Sequence, residues 1–173
     1  FHYARNIVKT DTTSVQTFES INRGPAGLVH TGIVEWFQPM DKKVGAQTEF
    51  SVDGLDKLPR VDILYAHANM SADLIEAAVK NGAKGIVVAG VGDGNMTTPA
   101  LDALKKAAAS GVVVVRSTRL PKGLVLRNNE VNDDEMGFVA SGELNPAKSR
   151  VLLQLALTKT SDPKLIQAMF YEY

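Results

Sequence analysis

The sequence predicts an α/β protein: a small parallel sheet flanked by helices, reached after a hairpin and a polar connector. Three observations predict it. Short, mostly apolar runs recur at 61–67, 85–90 and 112–117. Segments of helical periodicity separate them. Glycines stand where those helices should stop. Apolar runs without alternation are the mark of strands buried on both faces, which happens when helices cover both sides of a parallel sheet.

The elements follow in order. "TSVQTFESI" (13–21) places Val15, Phe18 and Ile21 three apart, predicting a short helix. "GLVHTGIVEWF" (27–37) alternates about His30-Thr31-Gly32 and predicts a hairpin. "DKKVGAQTEFSVDGLDKL" (41–58) is polar and dotted with glycine, as a loop is. The character changes at Pro59. "VDILYAH" is a strand. "SADLIEAAVKNG" is a helix with Ser71 as N-cap, Leu74, Ile75 and Ala78 as its apolar stripe, and Gly82 as terminator. "GIVVAG" is a second strand. "TPALDALKKAAASG" is a helix with Thr98 as N-cap, Pro99 at N1 and Gly111 at its end. "VVVVRS" is a third strand. Residues 118–137 form a loop with one apolar patch, "LVLR". "GFVAS" is a short strand. Two helices close the chain, opened by Asn145-Pro146 and Asp162-Pro163.

Bulk properties narrow the function classes. The 173 residues carry 19 basic and 19 acidic side chains, so nothing in the net charge attracts a phosphate backbone, and nucleic acid is not an expected partner. No apolar run approaches the roughly 20 residues of a membrane-spanning helix, and no membrane association is expected. There is no cysteine, which removes disulfides, thiolate catalysis and cysteine-based metal sites from this chain. The three histidines, His2, His30 and His67, follow no metal-ligand spacing, and no metal is expected.

Three polar stretches could carry chemistry. The loop after the second strand, Gly90-Val91-Gly92-Asp93-Gly94-Asn95, is rich enough in glycine to approach a ligand. It fails as a dinucleotide fingerprint. The third glycine of G-x-G-x-x-G would fall on Asn95 or Thr97, and "VVVVRS" ends without the ribose-binding acid. Loops at the carboxyl ends of such strands still bind ligands, and this one displays Asp93 and Asn95. "KTDTTS" (9–14) sets hydroxyls beside an acid and a lysine, but capping of the following helix accounts for it better than nucleophilic chemistry. "RNNEVNDDE" (127–135) clusters Glu130, Asp133, Asp134 and Glu135 without EF-hand spacing and reads as a solvated loop. In "MFYEY", Phe170 and Tyr173 lie three apart, as on a helix face docking on the core. No complete catalytic constellation is present.

Taken in order, "ARNIVKTDTTSVQTFES", "GIVVAGVGDGN", "VVVVRSTRLP" and the segment from Asp133 to Tyr173 resemble the later half of bacterial-type L-asparaginases of the type II class, with the related glutaminase-asparaginases. The closing L-N-P-x-K-x-R-V-L-L and S-D-P are the most specific parts. The resemblance runs from about Ala4 to Tyr173. It implies a flavodoxin-like C-terminal domain over 61–173, a connector at 39–60, and at 1–38 the tail of an N-terminal catalytic domain that includes the hairpin.

The activity implied is hydrolysis of L-asparagine to L-aspartate and ammonia, with no metal and no cofactor. The family's threonine nucleophile and its Thr-Asp-Lys helpers lie in T-G-G-T-I and H-G-T-D-T motifs, which are absent here. Thr10-Asp11-Thr12 lacks the preceding His-Gly and takes no catalytic role, so no catalytic residue is assigned to this chain and the missing half is expected to hold them. Two positions match the family's substrate-binding residues. Asn95 matches an Asn that enters the neighbouring subunit's site. Glu130 matches a Glu that meets the substrate's α-amino group across the same interface. Asp93 stands where the family's loop has its first Asn, which is expected to alter the loop's hydrogen bonding. More glutaminase-active members tend to carry Ser at the Asn95 position, so Asn95 implies a preference for asparagine. The expected partners are L-asparagine or L-aspartate, the missing N-terminal half, and further copies in a homotetramer of intimate dimers. The expected location is the periplasm or outside the cell. A non-catalytic amino-acid-binding or regulatory module on the same fold is the alternative.

Overall fold

The computed structural model describes residues 1–173. Its centre is a four-stranded sheet in the sequential order β5 (Val61–Tyr65), β6 (Gly85–Gly90), β7 (Val113–Thr118) and β8 (Phe138–Ala140), all parallel. Helices α1 (Asp73–Lys80) and α2 (Thr98–Ala109) follow β5 and β6. A single turn, α3 (Asp133–Met136), precedes β8, and α4 (Pro146–Ala156) and α5 (Pro163–Glu172) close the chain.

Every residue of β6 and β7 is buried, which explains why neither run alternates in sequence. The alternation exists in space. Ile86, Val88 and Val114 join Ile75, Ala78 and Leu104 in one core layer with α1 and α2. Val87, Val113 and Val115 join Leu153, Ile166 and Phe170 in the other, with α4 and α5. Each large side chain so buried contributes about 1.5–3 kcal/mol. Phe170 is 2% exposed, and the Tyr173 ring meets Phe50 at 5.0 Å between centroids, so the closing aromatic pair docks as expected. No helix is long and apolar enough to cross a membrane.

Helix starts follow their caps. Asn145 accepts from the Lys148 N–H at 2.9 Å and Asp162 from the Lys164 N–H at 2.8 Å, each followed by proline. Two expected starts shift. Helix α1 begins at Asp73 after Ala72, with the Ser71 hydroxyl 3.4 Å from the Asp73 N–H, and Leu74 faces solvent rather than the core stripe. Thr97, not Thr98, is the N-cap residue of α2, and its hydroxyl donates to the Met70 carbonyl at 2.6 Å, tying the helix start to the segment before α1.

Two small antiparallel ladders precede the sheet. β1 (Ile7–Lys9) pairs with β2 (Phe18–Ser20), and β3 (Gly27–His30) pairs with β4 (Ile33–Trp36). The expected helix over 13–21 is therefore a turn and a strand. Val15, counted in its stripe, is 98% exposed, and pairing with Ile7–Lys9 overrides the period-three pattern. The hairpin forms as expected. Thr31 at φ 46° and Gly32 at φ 79° make a two-residue loop with both central residues left-handed, whose twist suits hairpins. The connector contains one 3-10 turn, Gly45–Gln47.

Ion pairs fasten these ladders to the main sheet. Glu143 accepts from Arg5 Nε at 2.7 Å and Arg23 Nε at 2.6 Å. Burial opposes charge on Glu143, but the bonds from Arg23 and Arg5 and their positive charges hold its carboxyl below the usual range. Lys148 of α4 donates to the Arg5 carbonyl at 2.9 Å and to that of Ile7. Burial, then the Arg5 charge, lowers its pKa.

Candidate functional site

The loop that leaves β6 folds back on itself. The Val91 and Asn95 backbones exchange two hydrogen bonds of 2.8 Å, closing a tight hairpin just beyond the strand's carboxyl end. Glycine is required at two places. A Cβ on Gly90 would sit 2.4 Å from the Gly94 carbonyl carbon. Gly94 has φ +75°, and a Cβ there would meet Arg116 Nη1 and Val125 at 3.0 Å. The glycines therefore serve close packing of the protein's own backbone and side chains.

Beneath the loop lies Arg116 of β7, 0% exposed. Its Nε and Nη2 donate to the two Asp133 carboxylate oxygens at 2.6 and 2.7 Å, and Asp133 is also 0% exposed. The remaining donors reach backbone: Nη1 to the Asp93 carbonyl at 2.8 Å and Nη2 to the Leu126 carbonyl at 3.0 Å. One planar guanidinium thus joins the loop after β6, the loop after β7 and the turn α3. The reading of 127–135 as a solvated loop is corrected here. Asp133 is the counter-ion that lets Arg116 lie inside the sheet, since an unpaired charge there would be prohibitive.

The second loop is held at successive residues. The Leu126 N–H donates to Asp93 Oδ1 at 2.6 Å, the Asn128 N–H to Asp133 Oδ2 at 2.8 Å, and Asn129 Nδ2 to Asp93 Oδ2 at 2.6 Å. Asp134 binds Arg127 Nη2 at 2.5 Å and Asn128 Nδ2 at 2.6 Å. The Asn128 bond first, then Arg127, keeps its carboxyl below the usual range.

Asn95 and Glu130, the two residues singled out from sequence, meet at this junction. Asn95 Nδ2 donates to Glu130 Oε2 at 3.1 Å, and Asn95 Oδ1 accepts from the Met96 N–H at 2.7 Å. Both residues are exposed, and Glu130 Oε1 has no protein partner. An amide fixed by its own neighbour and an available carboxylate oxygen can accept an ammonium group through charge-assisted hydrogen bonds. They cannot by themselves attack an amide carbonyl.

The other sequence candidates lie elsewhere. Asp11 accepts from the Thr13 and Ser14 N–H groups at 2.7 and 2.8 Å. Those bonds, Ser14 first, lower its pKa. It closes the turn before β2 and caps no helix, which corrects the expected cap. A groove of about 810 Å³ lies against α4 and is lined by Phe50, Val52, Ala147 and Val151; neither Asn95 nor Glu130 borders it. Sequence reasoning missed Arg116 and Asp133. The available signal was an arginine inside an otherwise apolar run, which demands a buried partner.

Comparison with known proteins places the chain among named relatives. The family described as Glutaminase/Asparaginase C-terminal domain matches residues 60–170. "Probable L-asparaginase periplasmic" of Haemophilus influenzae is 50% identical over 170 residues, covering 98% of this chain and 49% of that protein. "L-asparaginase 2" of Escherichia coli is 48% identical over 169 residues, covering 98% and 49%. A "Glutaminase-asparaginase" of Pseudomonas fluorescens is 37% identical over 170 residues, covering 98% and 47%. The chain spans about half the length of these relatives.

Proposed function

The chain belongs to the glutaminase/asparaginase family, and from that premise we propose that it supplies the substrate-binding part of an amidohydrolase converting L-asparagine and water to L-aspartate and ammonia. Asn95 and Glu130 hold the amino acid. The Glu130 carboxylate receives the α-ammonium group, and the Asn95 amide fixes that carboxylate and offers a further polar contact. Such a clamp orients the substrate without joining the bond-making step, and orientation alone lowers a barrier substantially.

The attacking hydroxyl and the oxyanion-stabilising donors belong to polypeptide outside these 173 residues, in the half of the relatives' length that this chain does not span. In this reading, residues 1–38 complete that other domain, 39–60 connect, and 61–173 form the C-terminal domain. The clamp faces a neighbouring subunit's site within a homotetramer of intimate dimers. The enzyme works in the periplasm or outside the cell, as the name of the Haemophilus influenzae relative suggests.

The observation that carries the proposal is the 3.1 Å contact between Asn95 Nδ2 and Glu130 Oε2 at the carboxyl ends of the strands. Ammonia release tests it. The chain alone is expected to release none from L-asparagine. The chain fused behind the first half of the Escherichia coli relative is expected to turn over. Sustained turnover by the chain alone would overturn the division of labour. A free-standing amino-acid-binding module is less well supported, because these relatives carry the names of enzymes.

A further inference from the structure

Glu130 is an exposed side chain whose hydrogen bond is the one to Asn95. Its placement therefore depends on the backbone that carries it. That backbone is tied down one residue earlier, by Asn129 Nδ2 donating to Asp93 Oδ2 at 2.6 Å. The other Asp93 oxygen takes the Leu126 N–H, also at 2.6 Å. Asp93 lies two residues before Asn95 in the glycine loop. One carboxylate thus connects the loop bearing Asn95 to both ends of the segment leading into Glu130.

We propose that Asp93 and Asn129 are a positioning pair that sets the Glu130 carboxylate against Asn95. Its bearing on substrate rests on the function proposed above; the positioning itself does not.

The chemistry makes the pair directional. An ionised carboxylate only accepts, and here it accepts from two donors at once. A carboxamide at position 93 could accept from Leu126 but would turn its NH2 towards Asn129, which must then reverse its own amide. A carboxylate at position 129 would face that of Asp93 at hydrogen-bond distance, and like charges so placed repel. Exchanging the two restores a full set: the new amide accepts from Leu126 and donates to the new carboxylate.

NMR of the 173-residue chain tests this through the nuclear Overhauser contact between the Asn95 side-chain amide protons and the Glu130 γ-methylene. The contact is expected in the unaltered chain, absent in Asn129→Asp, and restored in Asp93→Asn/Asn129→Asp, with the backbone amides of β6 and β7 unshifted throughout. Should Asn129→Asp disturb those strand amides, Asn129→Ala takes its place, with the same loss expected. Persistence of the contact in the single variant, or failure of the exchange to restore it, overturns the proposal. The functional reading fails separately, if Glu130→Gln leaves the KM of the fused enzyme for L-asparagine unchanged.

Discussion

Arg116 and Asp133 face each other inside the protein, both 0% exposed and joined by hydrogen bonds of 2.6 and 2.7 Å. The pair does not merely fill space. Arg116 also binds the Asp93 and Leu126 carbonyls, so the two loops that carry Asn95 and Glu130 share one buried cation.

Removing one member leaves the other charge stranded. Asp133→Ala is expected to lower the free energy of unfolding by about 3–5 kcal/mol, as breaking buried ion pairs does. Replacing both, as Arg116→Met/Asp133→Leu, is expected to recover much of that loss while leaving both loops unanchored. Urea denaturation checks both values. A loss under about 1 kcal/mol for the single variant would mean that water reaches Arg116.

Gly90 gives a sharper local test. Its absent side chain lets Gly94 pass at a distance no Cβ allows, with 2.4 Å to the nearest backbone carbon. Gly90→Ala is expected to push the loop outward, break the Val91–Asn95 backbone pairing and raise hydrogen exchange at those two amides. Gly92→Ala meets no atom within 4 Å, so it is expected to pay only the strain of its φ of +54°. Equal exchange in the two variants would contradict the close-packing account.

The Glu143 clamp makes stability depend on pH. Its carboxyl titrates lower in the folded chain than in the unfolded one. Its contribution is therefore present above the ordinary carboxylate range, about pH 4–5, and is lost as pH falls through the folded value. The stability difference between the unaltered chain and Glu143→Gln is expected to be largest near pH 7 and to shrink towards pH 2. Denaturant midpoints across that range measure it. A constant difference would show that the Arg5 and Arg23 bonds do not depend on the charge.

Legibility from sequence followed how local the cause was. Strands β6 and β7 were legible because burial on both faces leaves continuous runs, and Asn145 and Asp162 were legible because a cap followed by proline is local chemistry. The hairpin turn was legible at Thr31-Gly32 for the same reason. Phe18–Ser20 was not, because its partner is β1, and a three-residue pairing leaves no period to read. Asp133 looked like one acid among four until the fold brought it to Arg116. The glycine loop displayed Asn95, but Glu130 was joined to it through family resemblance alone. Nothing in their spacing, 35 residues apart, announces that they touch.

The central claim is that Asn95 and Glu130 grip the amino acid through its ammonium group. Titration of L-aspartate into the fused enzyme measures this most directly, comparing the unaltered form with Glu130→Gln. Loss of one charge-assisted bond, about 1.5–3 kcal/mol, predicts affinity weakened by roughly 10- to 100-fold, with unfolding unchanged. Affinity within about twofold of the unaltered enzyme, against that expectation, would contradict the account.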